Sequence, residues 1–162
     1  MLGASYGASA AVRSQHLFVY GSLCAPEVMT AVTGLRMRAV HAELANHQVL
    51  SLRGQVYPGL TRAAGQHASG RVYRCVPQWA LRRLDAFEGA WYERVRVTVR
   101  MHETASEQAI HAHTYRLHPA AVRRGSGPAW VFEQFMHTQC RRFARVWRAR
   151  RRRLGPSRAV GL

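Results

Sequence analysis

Glu88 is the residue whose position in this sequence best fits acid–base chemistry. The chain holds only seven glutamates and one aspartate, and few of them stand outside predicted helix starts and hairpin loops. Glu88 stands where a predicted helix ends at a glycine, with Phe87 and Trp91 beside it. Apolar neighbours disfavour a charged carboxylate and raise its pKa towards neutrality, as a general base requires. The alternative is an exposed carboxylate at a helix end, paired with Arg83 or Arg94.

A second candidate for chemistry is the tetrapeptide Tyr20-Gly21-Ser22-Leu23. It follows the apolar run Leu17-Phe18-Val19, so a buried strand is predicted to end there in a sharp turn. Glycine lets the backbone approach a ligand, and successive N–H groups in such a turn bind a carboxylate without a positive side chain. The same pattern also fits an ordinary strand-ending turn. Together with Glu88, it predicts a pocket with an anion-binding turn and a single acid/base group.

Other chemistries have less support in the sequence. His111 and His113 alternate on a predicted strand and share one face, but no Asp, Glu or Cys cluster at ligand spacing accompanies them. We therefore predict no metal site. Ser22 lacks the Gly-x-Ser-x-Gly elbow of a serine hydrolase. The three cysteines are widely spaced without a Cys-x-x-Cys motif, which predicts reduced thiols rather than disulfides.

Short strands and a few helices are predicted to position these residues. The strongest strand pattern is at 95–100, where valines alternate with polar residues. Other strand segments are predicted at 16–20, 36–44, 47–52, 69–76 and 109–116. The proline and glycine of Tyr57-Pro58-Gly59-Leu60 predict a turn.

Helices are predicted where a proline opens and a glycine closes an apolar periodic segment. Two such segments are 26–33 and 78–87. A long C-terminal helix is also predicted, and Ser126 and Pro128 indicate its start. The apolar stripe of that last helix comprises Phe132, Phe135, Met136, Cys140, Phe143 and Trp147. The fold class predicted from these elements is α+β, a small, mostly antiparallel β-barrel with flanking helices.

The length of 162 residues fits one domain, but charge is distributed unevenly along it. All 24 basic residues are arginines, the formal net charge is +16, and nine arginines lie in 141–162. We predict a disordered leader at 1–15, a globular domain at 16–147 and an arginine-rich tail at 148–162. No apolar run approaches the length of a membrane span, so a cytoplasmic location is expected.

The basic C-terminal segment leaves an alternative function open. Its arginines could neutralise phosphates of a nucleic acid or another acidic surface, with binding that weakens as salt rises. However, the sequence contains no recognised nucleic-acid motif, and arginines around a helix end often form a solvated surface. Binding of this kind would depend on the tail and would not depend on Glu88.

Several motifs in order resemble one known family. They are Phe18-Val19-Tyr20-Gly21-Ser22-Leu23, Tyr57-Pro58-Gly59-Leu60, Gly70-Arg71-Val72-Tyr73, Leu84-Asp85-Ala86-Phe87-Glu88-Gly89 and Tyr92-Glu93-Arg94-Val95, with Trp130 and Phe135 later in the chain. Their order and spacing resemble the gamma-glutamylcyclotransferase-like family, in the branch that includes the plant avirulence-induced proteins. The resemblance covers about residues 16–145.

The resemblance implies an enzyme that closes a γ-glutamyl group to 5-oxoproline and releases an amine, with no metal, nucleotide or other cofactor. It places the catalytic glutamate at Glu88, the substrate-binding turn at Tyr20, Gly21, Ser22 and Leu23, and a pocket wall at Tyr92. The expected partner is a small γ-glutamyl molecule. Leu23 stands where the glutathione-handling mammalian type has Asn, so glutathione is not implied as the substrate. A barrel that has lost turnover but keeps its ligand is a further alternative.

Overall fold

The computed structural model describes residues 14–103, 106–125 and 129–153. Five strands are present in these ranges: β1 (Ser14–Val19), β2 (Ala39–Ser51), β3 (Pro58–Pro77), β4 (Tyr92–Glu103) and β5 (Ser106–Leu117). Four α-helices accompany them: α1 (Pro26–Thr33), α2 (Gln78–Glu88), α3 (Phe132–Thr138) and α4 (Cys140–Arg153). Short 3-10 helices lie at Ser22–Cys24, Gly89–Trp91 and Pro119–Arg124.

The strands form one sheet that closes on itself in the order β1-β3-β2-β4-β5. All neighbours pair antiparallel except β1 and β5, which are parallel where Leu17 meets His113. The barrel interior is filled by small and branched apolar side chains around Phe18, including Leu60, Val72 and Val99. The predicted α+β class with a mostly antiparallel barrel is confirmed. Within the described ranges no helix is long and apolar enough to cross a membrane.

The two weak strand candidates at 36–44 and 47–52 are one strand, β2, with an irregularity in the middle. Pairing with β3 shifts between Ala45 and His47, where Asn46 has a positive φ of 58°. Gly65 of β3 has a φ of 74°, and its N–H donates to Asn46 Oδ1 at 3.0 Å. The irregularity shifts the register of the β2–β3 pair without ending either strand.

The turn predicted at Tyr57-Pro58-Gly59-Leu60 is wrong, because Pro58 begins β3. A proline at the first position of a strand costs no ladder hydrogen bond. The chain turns earlier, where the Gln55 N–H donates to the Leu52 carbonyl at 3.0 Å and Gly54 takes a φ of 73°.

Two helices follow their predicted bounds closely. Helix α1 begins at Pro26 and is terminated by Gly34, which has a left-handed φ of 86°. Helix α2 begins after Pro77 and ends one residue later than predicted, at Glu88, because Gly89 has a φ of 69°. These ends are set by local backbone preferences, and the sequence therefore predicts them well.

The C-terminal helix differs from its prediction. Its predicted start at Ser126 and Pro128 lies outside the described residues. The helical segment is interrupted at Gln139 and divides into α3 and α4. Helix α4 packs its buried Cys140 and Ala144 into the core cluster that also contains α1.

The predicted end segments fall mostly beyond the described residues. Residues 1–13 of the predicted leader and 154–162 of the predicted tail are outside the described ranges. The prediction of disorder is wrong for Ser14 and Gln15, the last two residues of the leader, because they belong to β1 and pair with β3. Helix α4 runs on from residue 147 to Arg153, so part of the predicted tail is helical. The division into leader, domain and tail remains a prediction.

Candidate active site

Glu88 is held at the C-terminal end of α2, which is anchored by its buried face. Ala80, Leu81 and Leu84 of this helix are fully buried in the core. The negative end of the helix dipole lies at this end, where it disfavours a carboxylate. The end of α2 therefore holds Glu88 in place and makes its charged form less stable.

The Glu88 side chain faces a cavity of about 460 Å³. The cavity is lined by all six residues that the sequence predicts for the site: Tyr20, Gly21, Ser22, Leu23, Glu88 and Tyr92. Segments almost 70 positions apart in the chain thus meet at one pocket. Its volume suits a ligand of the size of a small dipeptide.

The Glu88 carboxylate has no counter-ion or hydrogen-bond donor among the protein groups that the structure describes. Burial raises its pKa from 4.5 to about 8, and the charge of Asp85 one turn earlier adds to the effect. Part of the side chain remains accessible from the cavity. The geometry thus presents a carboxyl group of nearly neutral pKa to whatever occupies the pocket.

The alternative of an ion-paired helix-end carboxylate is wrong for Glu88. Arg94 pairs with Asp85 instead, with its Nε at 2.8 Å from Oδ1. Arg83 donates to the Thr33 carbonyl at 2.6 Å. Both predicted counter-ions therefore have other partners, and Glu88 is left without one in the described part of the chain.

The turn after β1 forms a second wall of the pocket. Ser22–Cys24 is a 3-10 helix whose first hydrogen bond runs from the Cys24 N–H to the Gly21 carbonyl at 2.9 Å. The N–H groups of Ser22 and Leu23 precede that bond, so the turn itself does not use them. A Cβ on Gly21 would lie 2.7 Å from Pro58 Cγ, so the close contact with β3 requires glycine.

Tyrosine hydroxyls fix the pocket walls to the barrel. Tyr20 donates to the Tyr115 carbonyl and Tyr92 to the Pro58 carbonyl, each at 2.7 Å. The Tyr115 hydroxyl donates to Asp85 Oδ1 at 2.7 Å. Burial and nearby carboxylates raise the pKa of all three tyrosines, which keeps the hydroxyls protonated. The hydroxyls of Tyr20 and Tyr92 thus position the backbone of the pocket walls.

Asp85 and Tyr115 are parts of the site that were not predicted from the sequence. Asp85 precedes Glu88 by three residues, a spacing that puts both on one face of a helix. This spacing is the feature of the sequence that indicates Asp85 as a neighbour of Glu88. Tyr115 lies on β5 and lines the cavity only because the barrel closes against β1.

Helix α4 covers the pocket with aromatic and basic side chains. Phe87 packs edge-on against Trp147 at 4.6 Å and against Phe143 at 5.9 Å between ring centroids. Arg142 and Arg150 also line the cavity. Trp91, the other apolar neighbour of Glu88 in sequence, does not line the cavity and packs against the cluster of Leu52 and Leu117.

Ligands for a metal ion are not gathered at this pocket. The described ranges contain no group of three or more His, Cys, Asp or Glu side chains arranged to hold one. His111 hydrogen-bonds Thr98 at 3.1 Å on the outer face of the barrel.

Comparisons with known proteins show which family this chain resembles. The sequence model of the family described as "Gamma-glutamyl cyclotransferase, AIG2-like" matches residues 17–132. AIG2-like protein D of Arabidopsis thaliana is 32% identical over 100 residues, which are 62% of this chain and 66% of that protein, just under two thirds of its length. AIG2-like protein A of the same plant is 26% identical over 86% of this chain and 83% of its own length.

Solved structures show the same fold. A solution structure of an Arabidopsis thaliana protein superposes with a TM-score of 0.64 at 26% identity, covering 90% of this chain and 96% of its own. A structure titled "Gamma-glutamyl cyclotransferase" gives a TM-score of 0.55 at 18% identity, covering 65% of this chain and 68% of its own. The chain belongs to the gamma-glutamyl cyclotransferase, AIG2-like family.

Proposed function

We propose that this protein is a γ-glutamyl cyclotransferase that converts a γ-glutamyl amine to 5-oxoproline and a free amine, with Glu88 as general base and then general acid. The observation that carries the proposal is the position of Glu88. A carboxyl group of raised pKa, without a counter-ion in the described residues, lines a cavity beside a turn that offers backbone N–H groups.

The first task of the site is to hold the glutamyl group in a folded conformation. The substrate carboxylate binds at the N–H groups of Ser22 and Leu23, where a neutral backbone receives negative charge. The substrate ammonium then lies towards Glu88, the carboxylate that lines the same cavity. The α-carboxylate and the α-ammonium are both on the α-carbon, so these two contacts fix that end of the group. Confinement of the rest of the glutamyl chain by the pocket walls then brings the γ-carbonyl carbon close to the α-nitrogen, in a near-attack geometry.

The second task is proton transfer. The α-ammonium must lose a proton before it attacks, and Glu88 accepts that proton. The nitrogen lone pair forms a C–N bond to the γ-carbonyl carbon, closing the five-membered ring, and the bond from that carbon to the leaving nitrogen breaks. Glu88 returns the proton to the leaving nitrogen. The α-nitrogen loses a second proton as it becomes the lactam N–H, and this proton also reaches the leaving nitrogen. No water is consumed, and the products are 5-oxoproline and the amine in its ammonium form.

A pKa of about 8 suits both steps. Proton transfer is most efficient when the pKa of the catalytic group lies near the working pH, since the group then accepts and releases the proton readily. An ordinary exposed glutamate is too weak a base to deprotonate an ammonium effectively. The unpaired position of Glu88 at the end of α2 supports this role.

The test is product analysis with a panel of γ-glutamyl amino acids and γ-glutamyl amines. Wild-type protein is expected to release 5-oxoproline and amine in equal amounts, with no ¹⁸O taken up from labelled water. Release of labelled glutamate would indicate hydrolysis and contradict the proposal. No product from any panel member would leave the alternative of a ligand-binding barrel without turnover.

A further inference from the structure

Helix α4 presents one face to the pocket, and this face carries two arginines. The cavity-lining residues of this segment follow the 3- and 4-residue spacing of a helix face: Gln139, Arg142, Phe143, Val146, Trp147 and Arg150. Helix α4 lies beyond residues 17–132, the part matched by the family model. Arg142 and Arg150 lie on α4, the helix that covers the pocket, and not on a strand of the barrel.

Aromatic contacts connect this wall to the end of α2 that carries Glu88. Phe87, the neighbour of Glu88 on α2, packs against Trp147 at 4.6 Å. The Arg150 guanidinium lies over the Trp147 ring at 4.9 Å from its centroid. Arg142 lies two helical turns before Arg150, about 12 Å along the axis. The two cations thus flank the aromatic patch beside Glu88.

The charges around the pocket are unbalanced. Neither Arg142 nor Arg150 has an acidic partner in the described part of the chain, whereas Arg94 and Arg116 each pair with a carboxylate. Among the described residues, Glu88 is the one carboxylate that lines the cavity. Once Glu88 meets the substrate ammonium and the turn holds the glutamyl carboxylate, both guanidinium groups are left without a partner.

We propose that Arg142 and Arg150 form an anion subsite for carboxylate groups on the leaving amine. The inference rests on the proposed function, since it assigns the leaving-group half of the same pocket. Substrates whose leaving amine is acidic are then preferred over those with a neutral amine. Two guanidinium groups accommodate two carboxylates, so the preference grows with each carboxylate added.

A series of three substrates tests this subsite by adding one carboxylate at a time: γ-glutamyl-ethylamine, γ-glutamyl-alanine and γ-glutamyl-aspartate. Both arginines are solvent-accessible, so each added carboxylate is expected to raise kcat/KM about 3- to 10-fold. Arg142→Gln and Arg150→Gln are expected to flatten the series. Arg148→Gln is the matched control, because this arginine of α4 does not line the cavity.

The possible outcomes test the subsite and the proposed reaction separately. A flat series in wild type, or equal flattening by Arg148→Gln, would overturn the subsite while 5-oxoproline release still supported the proposed function. If none of the three substrates reacts, the proposed function fails for them, and their affinities, measured by calorimetry, still decide on the subsite. Affinity that rises with carboxylate number and depends on Arg142 and Arg150 supports it. Equal affinities for the three substrates, or no binding of any of them, overturn the subsite.

Discussion

Asp85 and Glu88 lie one turn apart on α2, yet of the two only Asp85 has a cationic partner in the described part of the chain. Arg94 Nε lies 2.8 Å from Asp85 Oδ1, and Tyr115 donates to the same oxygen at 2.7 Å. Glu88 is left facing the cavity beside a second negative charge. The pair thus has two roles set by environment: one carboxylate fixes the barrel to α2, and the other is available for proton transfer.

The rate is expected to depend on pH through Glu88. Because the pKa of the free carboxyl is about 8 and the base form is required, kcat/KM should rise with pH towards about 8 and fall again where the α-ammonium of the free substrate loses its proton. Bound ammonium favours the charged carboxylate, so the rising limb of kcat should lie at lower pH. Initial-rate measurements from pH 5 to pH 10 check this. A kcat/KM limb below about pH 5 would contradict the raised pKa.

The ion pair between Asp85 and Arg94 is expected to influence the pH at which kcat/KM rises. Asp85→Asn removes a negative charge beside Glu88 and releases Arg94, and both changes favour the charged form of Glu88. The kcat/KM limb should therefore move to lower pH by about one unit.

Glu93→Gln is the control for Asp85→Asn. It breaks a comparable pair with Arg116, at 2.9 Å, outside the cavity. The limb should keep its wild-type position in this variant. An unmoved limb in Asp85→Asn would show that this charge does not act on Glu88.

The cost of charging Glu88 is expected to appear in stability. The folded state keeps the proton that the unfolded chain loses, since the folded pKa of about 8 exceeds the ordinary 4.5. The free energy of unfolding contributed by this group is thus fully present below pH 4.5 and is lost as pH rises to about 8.

Glu88→Gln has no such loss, because its side chain never becomes charged. It should be more stable than wild type by about 2 to 4 kcal/mol at pH 9, with little difference at pH 4.5. Urea unfolding at both pH values measures this. Glu107→Gln, at an exposed position, should show no such divergence. A wild type that is equally or more stable than Glu88→Gln at pH 9 would contradict the buried-charge account.

The contact between Gly21 and Pro58 is expected to control the shape of the turn. A Cβ at position 21 would meet Pro58 Cγ at 2.7 Å. Gly21→Ala should therefore lower stability by about 1 to 3 kcal/mol and raise KM as the turn moves. The double variant with Pro58→Ala should recover much of both losses. A wild-type KM in Gly21→Ala would show that the shape of the turn does not affect substrate binding.

Features fixed by local backbone preference are predicted from the sequence. Pro26 and Gly34 bound α1, and Gly89 ends α2 next to Glu88, as their conformational preferences dictate. The position of Glu88 at a helix end follows from its own neighbours. So does the turn that begins after Val19, where β1 ends.

Features that depend on how distant elements pack are not predicted. Arg83 and Arg94 are both close to Glu88 in sequence, and only the packed structure gives them other partners. Arg142 and Arg150 belong to the same basic segment as several exposed arginines, and their place in the cavity depends on how α4 docks on the barrel. Whether the other arginines bind a nucleic acid remains a prediction that salt-dependent binding measurements can test.

The central claim is that Glu88 transfers the proton in the cyclisation. The most direct measurement compares 5-oxoproline formation at pH 8 by wild type, Glu88→Gln and the control Glu107→Gln, on the best substrate of the panel. We expect Glu88→Gln to lose about 100- to 10,000-fold in kcat with its fold intact, and Glu107→Gln to match wild type. Turnover by Glu88→Gln at the wild-type rate would contradict the account.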